Sequence, residues 1–218
     1  MPVLIIGAGG HAKVLADALI AAGRCVLGFT DTDAALHGQR LLGLPIFGCD
    51  ETVLAGHDPR RIELVNGIGG TSGGALRHRV ELAVQASGRG WVFTAVRHPS
   101  AIVSTGAELA SDVQLLAGSI VQSGAVLGRG SIVNTGAIVE HDCRVGEYVH
   151  IAPGSILCGY VEIGDRSHIG AGAVVKNSVA LGDDTIVGAG ACVVAAFVGG
   201  GTLMGVPATQ VAARGRMA

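Results

Sequence analysis

A small α/β domain followed by a parallel β-helix is the fold class this sequence predicts, and three observations predict it. An aliphatic residue recurs at every sixth position through the second half, Gly accounts for 36 of the 218 residues, and aromatic residues make up only 3% of the chain. A chain with so little Phe, Tyr and Trp must fill its interior with Val, Ile, Leu and Ala. Abundant Gly points to many tight turns. A regular, narrow β architecture satisfies both conditions.

The repeat runs from Val103 through Leu109, Leu115, Val121, Leu127, Val133, Val139 and Val145, then Ile151, Leu157, Ile163, Ile169, Val175, Leu181, Val187 and Val193. These sixteen successive positions are all Val, Leu or Ile, without an insertion. Small residues recur three places on, as at Gly118, Gly124, Gly130, Gly136, Gly154, Gly172 and Gly190. Each hexad reads as a short strand and a turn, with its aliphatic side chain pointing inward. Three hexads closing a triangle bring residue n beneath n+18, about 4.8 Å along the axis, so each coil bonds only to its neighbours. Hairpins and helical bundles have no period of six, and Gly at this density would cost a helix about 1 kcal/mol per residue.

In the first half, the apolar run Pro2–Ile6 leads into Gly7-Ala8-Gly9-Gly10-His11-Ala12-Lys13 and an amphipathic stretch to about Ala22. A second apolar run, Cys25–Phe29, ends at Thr30-Asp31-Thr32-Asp33. Strand, glycine turn, helix and a second strand with an acid at its tip form a nucleotide-binding βαβ unit. Glycines let phosphates approach the backbone, and the helix N-terminus offers them unpaired N–H groups. Ile62–Asn66 reads as a further strand, Gly73–Ser87 as a helix and Trp91–Ala95 as a short return, giving a first domain over 1–97 and a second over 98–218. Two other readings of the glycine motif compete: a NAD-dependent dehydrogenase with Asp31 on the ribose, and a turn without a ligand. The dehydrogenase needs two such halves, and little more than one precedes the repeat.

A net charge of −2 gives no sign of nucleic acid or an acidic membrane surface as partner. Five Cys, an odd number without a CxxC pair, argue against a disulfide framework or zinc ribbon and for a reducing cytoplasm. The N-terminus has no basic segment of the kind that opens a signal peptide. The uncharged stretch Thr185–Ala213 is long enough to suggest a membrane helix, yet Gly188, Gly190, Gly199–Gly201, Gly205 and Pro207 interrupt it.

Most chemical signal lies in Asn134-Thr135-Gly136-Ala137-Ile138-Val139-Glu140-His141-Asp142-Cys143. An imidazole flanked by carboxylates suits a general base for acyl transfer: a thioester is already activated, so the attacking group needs mainly to lose its proton. Gly159, eighteen residues on, stacks beneath His141, and its N–H is a candidate donor to the thioester oxyanion. Two further readings stay open. Zinc held by His141, His150 and His168 is one, although His141 is half a coil from His150; a histidine with a purely local structural role is the other.

The G-x-G-G-H opening fused to a hexapeptide repeat carrying E-H-D resembles the NeuD/PglD-like sugar O-/N-acyltransferases of the hexapeptide-repeat acyltransferase superfamily, over nearly the whole chain. That resemblance implies a Rossmann-like front domain and a left-handed β-helix, a hand opposite to the usual crossover rule. It further implies a homotrimer with active sites between subunits and acetyl-CoA as co-substrate, with no metal. Nucleotide-sugar contacts would fall on Gly9, Gly10, His11 and Asp31, with Asn134 also on the substrate. His141 would be the base and Asp142 its orienting partner; His150, Gly159, Ala171 and Ala189 would contact the cofactor. The reaction implied is N-acetylation of a nucleotide-linked amino sugar, such as a UDP-4-amino-4,6-dideoxy sugar. O-acetylation of sialic acid or another hydroxyl, and a silent scaffold, are its alternatives. Gly205-Val206-Pro207-Ala208 resembles the family's G-x-P-A turn, but Thr209 stands where a basic residue usually follows, which would leave CoA to backbone groups or to Arg214 and Arg216. The apolar loop Ala195–Thr202 is a candidate contact with a partner subunit.

Overall fold

The structure is a computed structural model that describes residues 1–70 and 72–211. Its first domain is built on a parallel sheet in the order β2-β1-β5, comprising β1 (Val3–Ile6), β2 (Val26–Thr30) and β5 (Glu63–Asn66). The central strand β1 is Val-Leu-Ile-Ile and buried at every residue, as a strand covered on both faces must be. On one side, Ala12, Leu15, Ala16 and Leu19 of α1 (Gly10–Ala21) pack with Val3, Ile5, Phe29 and Val65. On the other, Leu4, Ile6 and Leu64 pack with Ala83 and Ala86 of α3 (Gly73–Gly88) and with Trp91 and Phe93. Besides a 3-10 turn at Ala34–Leu36, two elements the sequence did not announce lie between β2 and β5. One is a hairpin of β3 (Arg40–Leu41) and β4 (Leu44–Pro45), and the other is the short helix α2 (Asp50–Ala55). Both are too brief for a periodic signal.

From residue 96 onward the chain winds through two-residue strands on three parallel sheets. Face I carries 96–97, 114–115, 132–133, 150–151, 168–169, 186–187 and 202–204, with 209–211 added antiparallel. Face II carries 102–103, 120–121, 138–139, 156–157, 174–175 and 192–193, and face III the strands 108–109, 126–127, 144–145, 162–163 and 180–181. Ile120 pairs with Ile138, Val126 with Arg144 and Ile132 with His150, a register of eighteen residues on every face. From Leu115 to Val193 every residue of the sixfold series is buried, each such side chain contributing about 1.5–3 kcal/mol of apolar burial. Leu109, on the first coil, is 37% exposed because no rung lies beneath it. The stretch 185–211 consists of strands and turns rather than a helix, and no helix among the described residues is long and apolar enough to cross a membrane.

Val96–Arg97 already pairs with Gln114–Leu115, so the first rung of face I begins just before the 97/98 boundary drawn from sequence. The first domain is seated on this face: Val96 and Leu116 join the α1 core, and Tyr148 joins the α3 core. The key of the seam is Arg79, fully buried on α3, whose guanidinium donates to the Gly130 carbonyl of the β-helix and lies 5.9 Å over the Tyr148 ring. Burial pushes its pKa down to about 10, so it stays charged at neutral pH.

Candidate active site

The three corners of the coil do different things. The corner between faces II and III holds His141, whose Nδ1–H donates to the Asp142 carboxylate at 2.8 Å. That bond places the proton on Nδ1 and leaves Nε2 as the basic lone pair. Asp142 sits at φ +59, a turn conformation that every coil repeats at this point. Its side chain is turned back toward the ring, and its N–H donates to Ser123 O on the preceding coil. Gly159 lies under the imidazole as the eighteen-residue count requires. A Cβ there would fall 2.6 Å from both Cε1 and Nε2 of His141, so only Gly admits the ring. The Gly159 N–H has no backbone partner among the described residues. Beside them, the Tyr160 ring meets the imidazole edge to face at 5.2 Å. His141 and Asp142 remain half exposed, at 50% and 44% of their side chains.

Other residues expected at the site gather elsewhere, on face I and its border with face II. His11 donates from Nε2 to Gln114 Oε1 at 2.8 Å, and Gln114 in turn donates to Asn66 O. His150 donates from Nδ1 to Gly70 O at 2.7 Å and accepts at Nε2 from Asn134 Nδ2 at 3.0 Å. Its ring lies 6.2 Å from His11 and 5.0 Å from His168. Burial drives the pKa of His150 down to about 3 and that of His11 to about 4, and lowers that of His168 as well. His11 and His150 therefore work as neutral hydrogen-bonding groups that join the first domain to the β-helix. His141, the third member of the zinc reading, stands apart from His150 and His168, and no group of three or more His, Cys, Asp or Glu able to hold an ion occurs among the described residues. Ala171 and Ala189 stack at the exposed corner between faces I and II, one coil apart, in the column that begins near Asn134.

In the first domain, Gly9 and Gly10 open α1 with open space above both α-carbons and no side-chain cap. Asp31, expected on a ribose, accepts from Ala8 N at 2.7 Å and from Asp33 N at 2.9 Å, which braces the glycine turn against the tip of β2. Next to this turn, at the carboxyl end of the sheet, is a cavity of about 310 Å³. Its apolar wall includes Ile6, Leu54, Leu82 and Ala86, and Asp50 and Thr32 line its polar side. Asp50 Oδ1 is buried without a hydrogen-bond partner among the described residues. Neither Asp50 nor the cavity was evident from sequence, since an acid in the first turn of a six-residue helix is ordinary. Ala208 N bonds Cys192 O, placing the G-x-P-A turn at the end of face II. Arg214 and Arg216 lie outside the described residues. Phe197 of the apolar loop folds onto Leu181, while Val198 is 95% exposed.

Comparison with known proteins identifies the family. The family described as PglD N-terminal domain matches residues 2–79, and the bacterial transferase hexapeptide family matches residues 160–195. GDP-perosamine N-acetyltransferase from Caulobacter crescentus, crystallised with CoA and GDP-perosamine, is 36% identical with a TM-score of 0.88, covering 98% of both chains. The acetyltransferase domain of PglB from Neisseria gonorrhoeae is 33% identical with a TM-score of 0.88, covering 96% of this chain and 99% of that one. The chain belongs to the PglD-like sugar acyltransferases. Its β-helix is accordingly left-handed, and it is an acyltransferase of the hexapeptide-repeat superfamily. WeeI from Acinetobacter baumannii, at 24% identity and a TM-score of 0.85, shares this family's fold. No curated protein is matched by sequence.

Proposed function

We propose that the protein transfers the acetyl group of acetyl-CoA to the amino group of a nucleotide-linked amino sugar, with His141 as general base. The observation that carries this reading is the His141 corner. A half-exposed imidazole is fixed by Asp142 at Nδ1, and it stacks on a Gly; among the described residues neither its Nε2 nor the Gly159 N–H has a partner. The amine nitrogen attacks the thioester carbonyl and loses its proton to Nε2, and the Gly159 N–H donates to the oxygen as it gains charge. Collapse breaks the C–S bond, and the imidazolium returns the proton to the departing thiolate. Asp142 stabilises the imidazolium in between. The relatives support the substrates: the Caulobacter enzyme was crystallised with CoA and GDP-perosamine in forms that replace one of its histidines, and the Neisseria domain with acetyl-CoA.

The distribution of side chains over the three faces supports a homotrimer. Face I is covered by the first domain, and face III shows Glu108, Arg144 and Glu162 to solvent. Face II carries an outward ladder of Ile102, Ile120, Ile138, Ile156, Val174 and Cys192. An uncharged aliphatic stripe of this length is a surface for a second copy. Packing three copies with face II toward the axis sets the II/III corner of one, with His141, against the I/II corner of the next, with Ala171, Ala189 and Asn134. Within one chain, His141 lies across the coil from the face bearing the first domain, so the acceptor held by that domain meets the neighbour's base. Gly9, Gly10 and the braced turn hold the diphosphate, and the cavity beside them takes the base. The carboxylate of Asp50 favours guanine, whose N1–H and N2–H donors lie side by side, over uracil, the base expected from sequence, with its single N3–H. All five Cys are free, in keeping with a cytoplasmic location.

Thiol release from acetyl-CoA, measured with GDP- and UDP-linked 4-amino sugars and with sialic acid, tests the reading. Turnover with a nucleotide amino sugar is expected. Turnover with hydroxyl acceptors alone would convert the protein to an O-acetyltransferase, and none with any acceptor would leave a scaffold.

A further inference from the structure

The turn position at which Asp142 lies recurs every six residues, and from 118 to 190 every such residue has a positive φ. Seven of the thirteen are Gly, the residue for which this conformation carries no penalty. The others include two tyrosines, Tyr148 at φ +55 and Tyr160 at φ +60. A bulky aromatic residue in this region is strained, so its presence calls for a compensating contact. Tyr148 has one in the seam, where it is buried and flanked by Arg79 and Arg129, each 5.9 Å from its ring centre. Tyr160 is 58% exposed and has no such packing. Its ring is directed at His141, 5.2 Å away and nearly perpendicular at 87°. The two residues are also tied through the backbone, the Tyr160 N–H donating to His141 O at 3.0 Å.

We propose that Tyr160 is a positioning residue for the His141 base, holding the imidazole plane so that Nε2 points along one direction at the thioester. This inference rests on the reading of His141 given above. Asp142 fixes one ring nitrogen, but a single hydrogen bond to a half-exposed ring leaves it free to swing about that bond. Gly159 closes the space below and exerts no restraint from the side. The Tyr160 ring supplies the side wall. An edge-to-face partner adds attraction beyond burial, which offsets the strain of the turn. The phenol hydroxyl has no part in this role: the ring is what counts.

The test compares Tyr160→Phe and Tyr160→Asn in the intact protein, with acetyl-CoA and whichever nucleotide amino sugar supports turnover. Asn tolerates the left-handed turn, so the Asn variant should keep or raise Tm. With the base loosened, its kcat should fall about tenfold while KM for both substrates stays within about twofold. The Phe variant should restore kcat to near the unsubstituted value. An Asn variant with unchanged kcat, or a Phe variant as impaired as Asn, overturns the proposal. So does dissociation of the Asn variant in mass photometry, which would make Tyr160 an intersubunit contact. His141→Ala, run alongside, separates the two readings. If that variant keeps full turnover, the base assignment itself fails whatever Tyr160 does.

Discussion

His141 and His150 are nine residues apart on the same β-helix, and their surroundings are opposed. At the II/III corner, His141 is half exposed, has a carboxylate on one nitrogen and nothing on the other. On face I, His150 is 5% exposed, has both nitrogens engaged by neutral groups, and stands against His11 and His168. An imidazole can pass protons only where its cation is tolerated; desolvation beside two other imidazoles and Arg79 denies this to His150. Equal residue types thus divide into an accessible imidazole and a buried fastening, according to whether the first domain covers their face.

The comparison breaks most simply at the corner. His141→Ala should reduce kcat by two to four orders of magnitude with the thermal midpoint unchanged, whereas His150→Ala should chiefly lower the midpoint. Equal losses of turnover at unchanged midpoint in both would erase the distinction. Next in size, Gly159→Ala introduces a methyl that the His141 ring cannot share space with. Displacing the base by about 1 Å should lower kcat about a hundredfold, read by steady-state kinetics at saturating acetyl-CoA. Ile138→Glu, in the middle of the face II ladder, should yield monomers by analytical ultracentrifugation and abolish turnover while each monomer stays folded.

The seam predicts a pH effect with a definite sign. His150 and His11 have folded-state pKa values of about 3 and about 4, below the ordinary 6.5. Above pH 6.5 both states hold them neutral and their contribution is intact. Between 6.5 and about 4 the unfolded chain binds protons that the folded chain refuses, so stability falls as pH falls. Denaturant midpoints measured from pH 8 to 4.5 should move to lower denaturant, and His150→Asn should flatten the curve. The smallest effect concerns the cavity: GDP should raise the midpoint more than UDP, and Asp50→Asn should cut GDP affinity about tenfold by isothermal titration.

Much of this was legible beforehand. Counting by six placed the buried ladder, and counting by eighteen placed Gly159 under His141, because each coil of this fold repeats the last without insertion. Tyr160 was within reach of the same count, one place past Gly159, its signal being an aromatic residue at a turn position most often filled by Gly. Within one chain Asn134 and His150 meet each other at face I, away from the His141 corner, a pairing that no count by six or eighteen announces. The repeat places residues on faces but not what covers a face. The burial of Arg79, the bond from His11 to Gln114 across 103 residues, and the unpartnered Asp50 oxygen arise where two domains or two helices meet.

By itself, the sequence determined everything governed by local periodicity: the coil, its register, its inward residues and the stacking at each corner, since those depend on neighbours at fixed intervals. The tertiary structure decided which histidines stay in contact with water. That choice turns on how the first domain seats itself on face I, through desolvation and hydrogen bonds between segments whose separation in the chain obeys no period.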